Sequence, residues 1–438
     1  MQEKFTFTAE TRANDRSNKT VMKQEKFFSL PTDFRARVRQ CFNLDDAALL
    51  RIAYVPGPGE LRDTYSYWKR GQPYPGKAII TYSEMFFDVV EALSAEALII
   101  ERGADRAEEM CADNCTFIRL SDIDYETPGA YWPQKQAITR EIARHCEQFK
   151  PHILILGGEF YWPMLPRLAK SSERIVMSLH NMFWQIGRRP QSLKNQINFF
   201  VKKVLVGRYV DAAVAVSKTA LDQFNEISPR KIPGFQSMHQ LPSSYADVGE
   251  ELARRKNQIC YLGRIEREKG VFELLEAFCV AKSHQSDLAI RFLGAGRALD
   301  ELREKAGATG FADDIEAPGP VDAADVYGAL RESQLLVVPT QRAFAEGFPA
   351  VCAEAISQLT PLLVSSVVPA REVFGDAVME FEAENSKNLA ECLTLLLCDE
   401  QKLDDMRKAA SDARAMLYDR SKSWGSALAQ AIVASAER

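Results

Sequence analysis

Twice along this chain of 438 residues, short apolar runs alternate with longer helical patterns. The strand candidates of the first block are Arg51–Val55, Ala97–Ile100, Ile153–Leu156, Ile175–Leu179 and Ala212–Val216. Those of the second are Gln258–Leu262, Ala289–Leu293, the run at Ile315, Leu335–Val338 and Pro361–Val364. Runs this short and this apolar suit strands buried on both faces, and helices between them make parallel crossovers. Two such blocks imply an α/β protein of two doubly wound domains facing each other. The length agrees, because one ordinary core does not grow to this size. Residues 241–257, polar and then charged, are the linker candidate. The expected division is a polar N-terminal extension over 1–48, one domain over 49–245, a second over 246–410, and a C-terminal helix over 411–438 that can cross back to the first.

Composition removes several classes of function. The net charge is −5 and the pI near 5.8, so no protein-wide field attracts nucleic acid. The nine cysteines are scattered without zinc-site spacing, and no metal is expected. Asp122-Ile-Asp124 has the form of a metal-binding acidic pair but precedes a Pro/Gly turn, and is read as incidental. Met1-Gln-Glu-Lys-Phe-Thr lacks the apolar core of a signal peptide and no run approaches membrane-spanning length, so the expected location is cytoplasmic. One stretch qualifies this. Between Gln185 and Val210 stand Arg188, Arg189, Lys194, Lys202, Lys203 and Arg208 with no acid, and Ile197, Phe200, Val201, Val204 and Leu205 share a helical face. The simpler expectation is that this face packs on its own domain. The alternative is peripheral contact of 188–208 with the anionic inner face of a membrane. A long aromatic loop is expected between Pro56 and Gly76, packed on the surface rather than holding a sugar.

The chemistry concentrates in two strand–loop–helix units of the second block. After Gln334-Leu-Leu-Val-Val-Pro339 comes Glu346-Gly347-Phe348-Pro349-Ala-Val-Cys-Ala-Glu354. Proline suits a helix start, and side chains inside a helix lean back towards its N-terminus. Both carboxylates can therefore border a helix mouth whose free N–H groups favour phosphate. A carboxylate is a natural acceptor for neighbouring sugar or ribose hydroxyls. The second unit ends its strand in Gly263-Arg264-Ile-Glu-Arg-Glu-Lys269-Gly270, where a guanidinium and an ammonium can offset a diphosphate. In the first block, His180 follows strand 175–179 directly, at the end where open sheets bind ligands.

Taken together, Tyr261-Leu-Gly-Arg-Ile-Glu-Arg-Glu-Lys-Gly270, Phe292-Leu-Gly294-Ala-Gly296, Gly319-Pro-Val321 and the Glu346–Glu354 segment resemble the retaining glycosyltransferases of family 4, of the GT-B fold. The resemblance implies two Rossmann-like domains, an N-terminal one for the acceptor and a C-terminal one for a nucleoside-diphosphate sugar, with no further cofactor. Arg264 and Lys269 would hold the diphosphate, Glu346 the sugar, and Glu354 the ribose. Gly263, Gly294, Gly319, Gly347, Phe348 and Pro349 would bring backbone to the donor, and His180 would approach it from across the cleft. The acceptor would be a glycan or lipid-linked hydroxyl, and the products glycans, polysaccharides or glycolipids. Two departures stand out: Ile232-Pro-Gly-Phe235 where the family has Asn-Gly, and Ser365-Ser-Val-Val-Pro-Ala-Arg-Glu372 where it has a Gly-Gly loop. The missing glycines leave open an inactive nucleotide-sugar binder; a GT-B isomerase or phosphorylase sharing the phosphate site is the other alternative.

Overall fold

The computed structural model describes residues 30–438 apart from 46, 58–60, 73, 75–78, 104–108, 125–126, 128, 159, 188, 190–191, 244–256 and 345. The polar lead before residue 30, most of the linker candidate, and Arg188 thus lie outside the described residues.

The first block forms an eight-stranded sheet. Its strands are β1 (Arg51–Val55), β2 (Glu96–Gly103), β3 (Glu109–Ala112), β4 (Cys115–Ser121), β5 (Ile153–Leu156), β6 (Arg174–Leu179), β7 (Ala212–Ala215) and β8 (Gly234–Gln236). They lie in the order β3-β4-β2-β1-β5-β6-β7-β8, and only the β3–β4 pair is antiparallel. The second block makes a parallel sheet of β9 (Gln258–Leu262), β10 (Ala289–Leu293), β11 (Ile315–Gly319), β12 (Leu335–Val338), β13 (Leu362–Ser365) and β14 (Val378–Phe381), ordered β11-β10-β9-β12-β13-β14. Both sheets are covered on both faces. Along β1, Ile52 and Tyr54 enter one core while Ala53 and Val55 enter the other, as the two-residue period of a strand requires. In each sheet the order reverses beside the first strand, which opens a crevice outside the carboxyl ends.

Most deviations from the sequence reading are at edges. β3, β8 and β14 are short edge strands without a strong apolar run. The loop expected before Gly76 contains a helix, Leu61–Lys69, whose Tyr65 and Trp68 are buried against Phe87. Trp68 donates to Asp88 Oδ1 at 2.8 Å. These rings belong to the core, not to a sugar site.

The long C-terminal helix is broken. Helices Glu400–Arg414 and Trp424–Ala436 flank two short 3-10 turns. The break lies against the chain that follows β8: Met238 N–H reaches Lys422 O at 2.8 Å, and Arg420 reaches Leu241 O at 2.9 Å. Ser423 then caps the last helix, which packs on the first sheet with Trp424, Leu428 and Ile432 wholly buried there.

Helix Leu193–Tyr209 corrects another expectation. It packs through Phe199, Leu205, Val206 and Tyr209, not through the predicted face. Ile197, Phe200, Val201 and Val204 point outward, with Phe200 65% exposed. Only Leu205 of the predicted set turns inward, because a narrower stripe one step around the helix already fills the space against helices Leu165–Lys170 and Lys218–Ile227.

The last helix gives the fold a direct test. Trp424→Ala should destabilise the protein by ~3–5 kcal/mol, the range for emptying a buried aromatic site. Denaturant unfolding monitored by circular dichroism measures it. A loss below ~1 kcal/mol would mean that the first domain does not depend on this helix.

Candidate active site

The two crevices face each other and form one cleft of about 1830 Å³. On the C-terminal side, β9, β10 and β11 end in Gly263, Gly294 and Gly319. Gly263 N–H bonds Leu293 O and Gly294 N–H bonds Gly319 O, both at 3.0 Å. A Cβ on Gly294 (φ 141°) would run into the Gly263 carbonyl, so only glycine lets these strand ends lie so close. Gly263 lines the cleft, whereas Gly294, Gly319 and Gly347 do not. Those three shape the backbone behind its wall.

Arg264, Lys269, Glu346, Phe348, Pro349 and Glu354 all line this wall, as the sequence reading expected. One arrangement is new. Lys269 Nζ lies 2.5 Å from Glu346 Oε2, with both side chains at least 85% buried, and Thr340 Oγ1 donates to the same oxygen at 3.3 Å. The ammonium also sits over the Phe344 ring at 4.0 Å. Lys269 and Glu346 are therefore one buried ion pair, not separate phosphate and sugar groups. Arg264 stands exposed beyond the same ring, 5.6 Å from its centroid, and makes no ion pair among the described residues. Arg297, which the sequence reading missed, lines the cleft but is held by Glu266 at 3.1 Å. Glu266, Glu268, Asp322, Glu346 and Glu354 thus face Arg264, Lys269 and Arg297, an excess of two carboxylates on the lining residues. Free positive potential comes from Arg264 and from helix Ala350–Ser357, whose first residues Ala350 and Val351 line the cleft. Pro349 is the N-cap of that helix rather than its first residue.

Across the cleft, His180 follows β6. Gly347 meets it: a Cβ there would collide with the His180 carbonyl oxygen, so this glycine sets how closely the two halves approach. Trp424 Nε1 donates to Ser178 Oγ at 2.9 Å, and Ser178 Oγ lies 3.0 Å from His180 Nε2. The indole N–H takes one lone pair of Ser178 Oγ, and the serine hydrogen and second lone pair are left to face Nε2. Burial, with His239 nearby, holds the His180 pKa down to about 4. His239 is a second residue the sequence did not reveal. Its Nε2–H faces Phe348 O at 3.2 Å, so its Nδ1 accepts from Tyr82 O–H at 3.3 Å. No helical or strand period marks His239, since it lies in the irregular chain after β8.

Asp122 and Asp124 are turned to separate partners. Asp122 stands beside Arg102 at 3.4 Å, and Asp124 accepts the Thr127 N–H at 3.0 Å. Glu372, at the end of the altered late loop, accepts Thr219 Oγ1–H at 3.0 Å.

Residues 247–413 match the family described as glycosyl transferases group 1. That stretch is a group 1 glycosyltransferase domain. Among curated proteins, a D-inositol 3-phosphate glycosyltransferase of Arthrobacter sp. is 28% identical over 176 residues, 39% of this chain and 41% of that protein. A Bacillus subtilis glycosyltransferase named for teichuronic acid biosynthesis, TuaC, is 30% identical over 135 residues, 31% of each chain. The match thus spans less than half the length of either relative. Among solved structures, an E. coli trehalose-6-phosphate protein bound with UDP-2-fluoro glucose aligns with a TM-score of 0.65 at 13% identity, covering 87% of this chain and 99% of that one. Anabaena HepE in complex with UDP aligns at 0.57 and 14% identity, covering 84% and 94%. Through these likenesses the group 1 domain and its partner sheet form a GT-B fold.

The lowered His180 pKa makes stability depend on pH. Between pH 6.5 and 4 the unfolded chain protonates histidines that the folded chain keeps neutral, so stability is full above pH 6.5 and is lost on acidification. The Tm advantage of wild type over His180→Asn should therefore shrink from pH 7 to pH ~4.5. A constant difference across that range would show that His180 titrates alike in both states.

Proposed function

We propose that the protein transfers a glycosyl unit from a nucleoside-diphosphate sugar to an acceptor hydroxyl, with retention at the anomeric carbon. The observation that carries this reading is the buried Lys269–Glu346 pair beside the open Arg264 guanidinium, at the mouth of a helix and opposite His180. Arg264 and the helix N-terminus suit the diphosphate, and Glu354, just inside that helix, suits the ribose. The Glu346 carboxylate, fixed by Lys269 and Thr340, is held to accept sugar hydroxyls. Lys269 sits at the same point and can lend its charge to the departing phosphate. Retention follows from the family resemblance: the acceptor attacks on the face the diphosphate leaves, and that phosphate takes the acceptor's proton. The chain's task is then to stabilise charge that grows on the leaving group. Metal is not required in this scheme.

Arg264→Ala should lower kcat and kcat/KM by roughly ten- to a hundred-fold, the worth of a charge-assisted hydrogen bond of ~1.5–3 kcal/mol. Glu354→Gln should chiefly raise the donor KM. Because Lys269 and Glu346 are one pair, their substitutions should be strongly non-additive, with a coupling of about 1 kcal/mol or more in a double-mutant cycle. Donor kinetics with EDTA present tests all three. Additive effects would dissolve the pair as a functional unit, and loss of turnover on chelation with rescue by Mg²⁺ or Mn²⁺ would overturn the metal-free scheme.

We also propose that the acceptor is met at an anionic membrane surface, for glycan or glycolipid assembly on the cytoplasmic side. Among the described residues no helix is long and apolar enough to cross a bilayer. Helix Leu193–Tyr209 instead offers outward Ile197, Phe200 and Val204, 51–65% exposed, on a segment with basic residues and no acids. Such a face fits the interface of an acidic bilayer. Wild type should sediment with phosphatidylglycerol vesicles in low salt and leave in high salt, whereas a variant with Phe200→Ser and Val204→Ser should stay in the supernatant. Equal sedimentation of the two proteins would refute this surface.

A further inference from the structure

The N-terminal wall of the cleft carries charge that glycosyl transfer from the donor does not use. Arg102, at the end of β2, is 5% exposed, yet neither Nη1 nor Nη2 has a hydrogen-bond partner among the described residues. Its neighbour Asp122 lies 3.4 Å from Nη1, in ion-pair range but without hydrogen-bond geometry. Lys202 reaches the cleft from the inner side of helix Leu193–Tyr209. Its Nζ lies 5.4 Å from the Trp162 ring and 5.6 Å from the Phe183 ring, and it makes no hydrogen bond or ion pair among the described residues. Burial first, and then Lys135, lower its pKa. Lys135 lines the same wall, and against these three cations the described lining residues of this half set one carboxylate, Asp124.

A buried guanidinium and a half-buried ammonium without hydrogen-bond acceptors are unfavourable unless something completes them. Their place in a cleft, with aromatic faces beside them, says what does. We propose that this wall binds the acceptor through a phosphate group, whose oxygens Lys202 and Arg102 take up, while Trp162 and Phe183 flank the rest of the molecule. Phe183 is three residues from His180, so an acceptor seated here has its hydroxyl end close to the donor side. The word acceptor rests on the transferase reading, but the phosphate site itself does not. Two sources share this chemistry: a soluble sugar or polyol phosphate, and a lipid headgroup entering beneath the outward face of the same helix.

Calorimetry with glycerol 3-phosphate, and with glycerol as its neutral counterpart, tests the site with and without UDP present. Calorimetry with short-chain phosphatidylglycerol below its micelle concentration, and with the matching diacylglycerol as its neutral counterpart, supplies the lipid arm free of any membrane surface. Wild type should bind the phosphorylated probe in one arm or both and ignore its neutral counterpart. Binding in the first arm identifies a soluble phosphate, and binding in the second alone a headgroup. Lys202→Gln should weaken that binding at least about tenfold and Lys202→Arg restore most of it, with UDP affinity unchanged in each. Arg102→Gln should weaken it likewise. If buried Arg102 proves necessary for folding by circular dichroism, the Lys202 pair decides. The proposal falls if wild type binds neither probe, if glycerol binds as well as its phosphate, or if folded Lys202→Gln binds like wild type. Should UDP fail to bind while the Lys202-dependent phosphate affinity persists, the donor reading fails and this site stands.

Discussion

The approach of Gly347 to the His180 carbonyl is the contact on which the cleft depends. It brings the loop after β12 against the end of β6, so that carboxyl ends of two separate sheets share one space. Every distance across the cleft follows from how near those backbones come, and a side chain at position 347 would hold them apart. The chain secures the contact at a second point. His239 links Tyr82 of the first domain to the Phe348 carbonyl of the second, and both histidines are kept neutral by burial. A neutral imidazole has one donor and one acceptor nitrogen. The His239 ring, between a carbonyl that can only accept and the Tyr82 hydroxyl, can then be satisfied in one orientation, which is how a polar bridge can be rigid.

The C-terminal helix reaches His180 through Ser178. Trp424 is wholly buried and its indole N–H ends on Ser178, so the hydroxyl that meets His180 is positioned from a helix that follows the second domain in the chain. Stability of the first domain and geometry of the cleft therefore share an element. This also explains why the C-terminal helix is broken: the turn at 415–423 redirects the chain from the second sheet to the first.

Charge in the cleft is divided between its walls. The C-terminal wall has more carboxylates than cations, and Lys269 is spoken for by Glu346. The N-terminal wall has the reverse balance, and two of its cations, Arg102 and Lys202, have no hydrogen-bond acceptor among the described residues. A protein that kept charges here for stability alone would pair them, since unpaired buried charge is destabilising. Asymmetry of this kind is better read as two recognition surfaces, one for hydroxyl-rich and diphosphate groups and one for an anion.

Periodicity alone determined the two α/β blocks, because strands buried on both faces must be short and apolar throughout. Local spacing placed Arg264, Lys269, Glu346 and Glu354 around strand ends and a helix mouth, since each lies within one strand–loop–helix unit. Edge strands β3, β8 and β14 were hidden, for half-exposed strands carry a weaker apolar signal. The face on which helix Leu193–Tyr209 packs was hidden too, because two apolar stripes compete there and only the neighbouring sheet chooses between them. Pairing of Lys269 with Glu346, seventy-seven positions apart, was not legible, nor was the path from Trp424 to His180. Such contacts depend on how separate units dock, and no local pattern records docking. The tertiary structure decided them, and with them which charges remain free to meet a substrate.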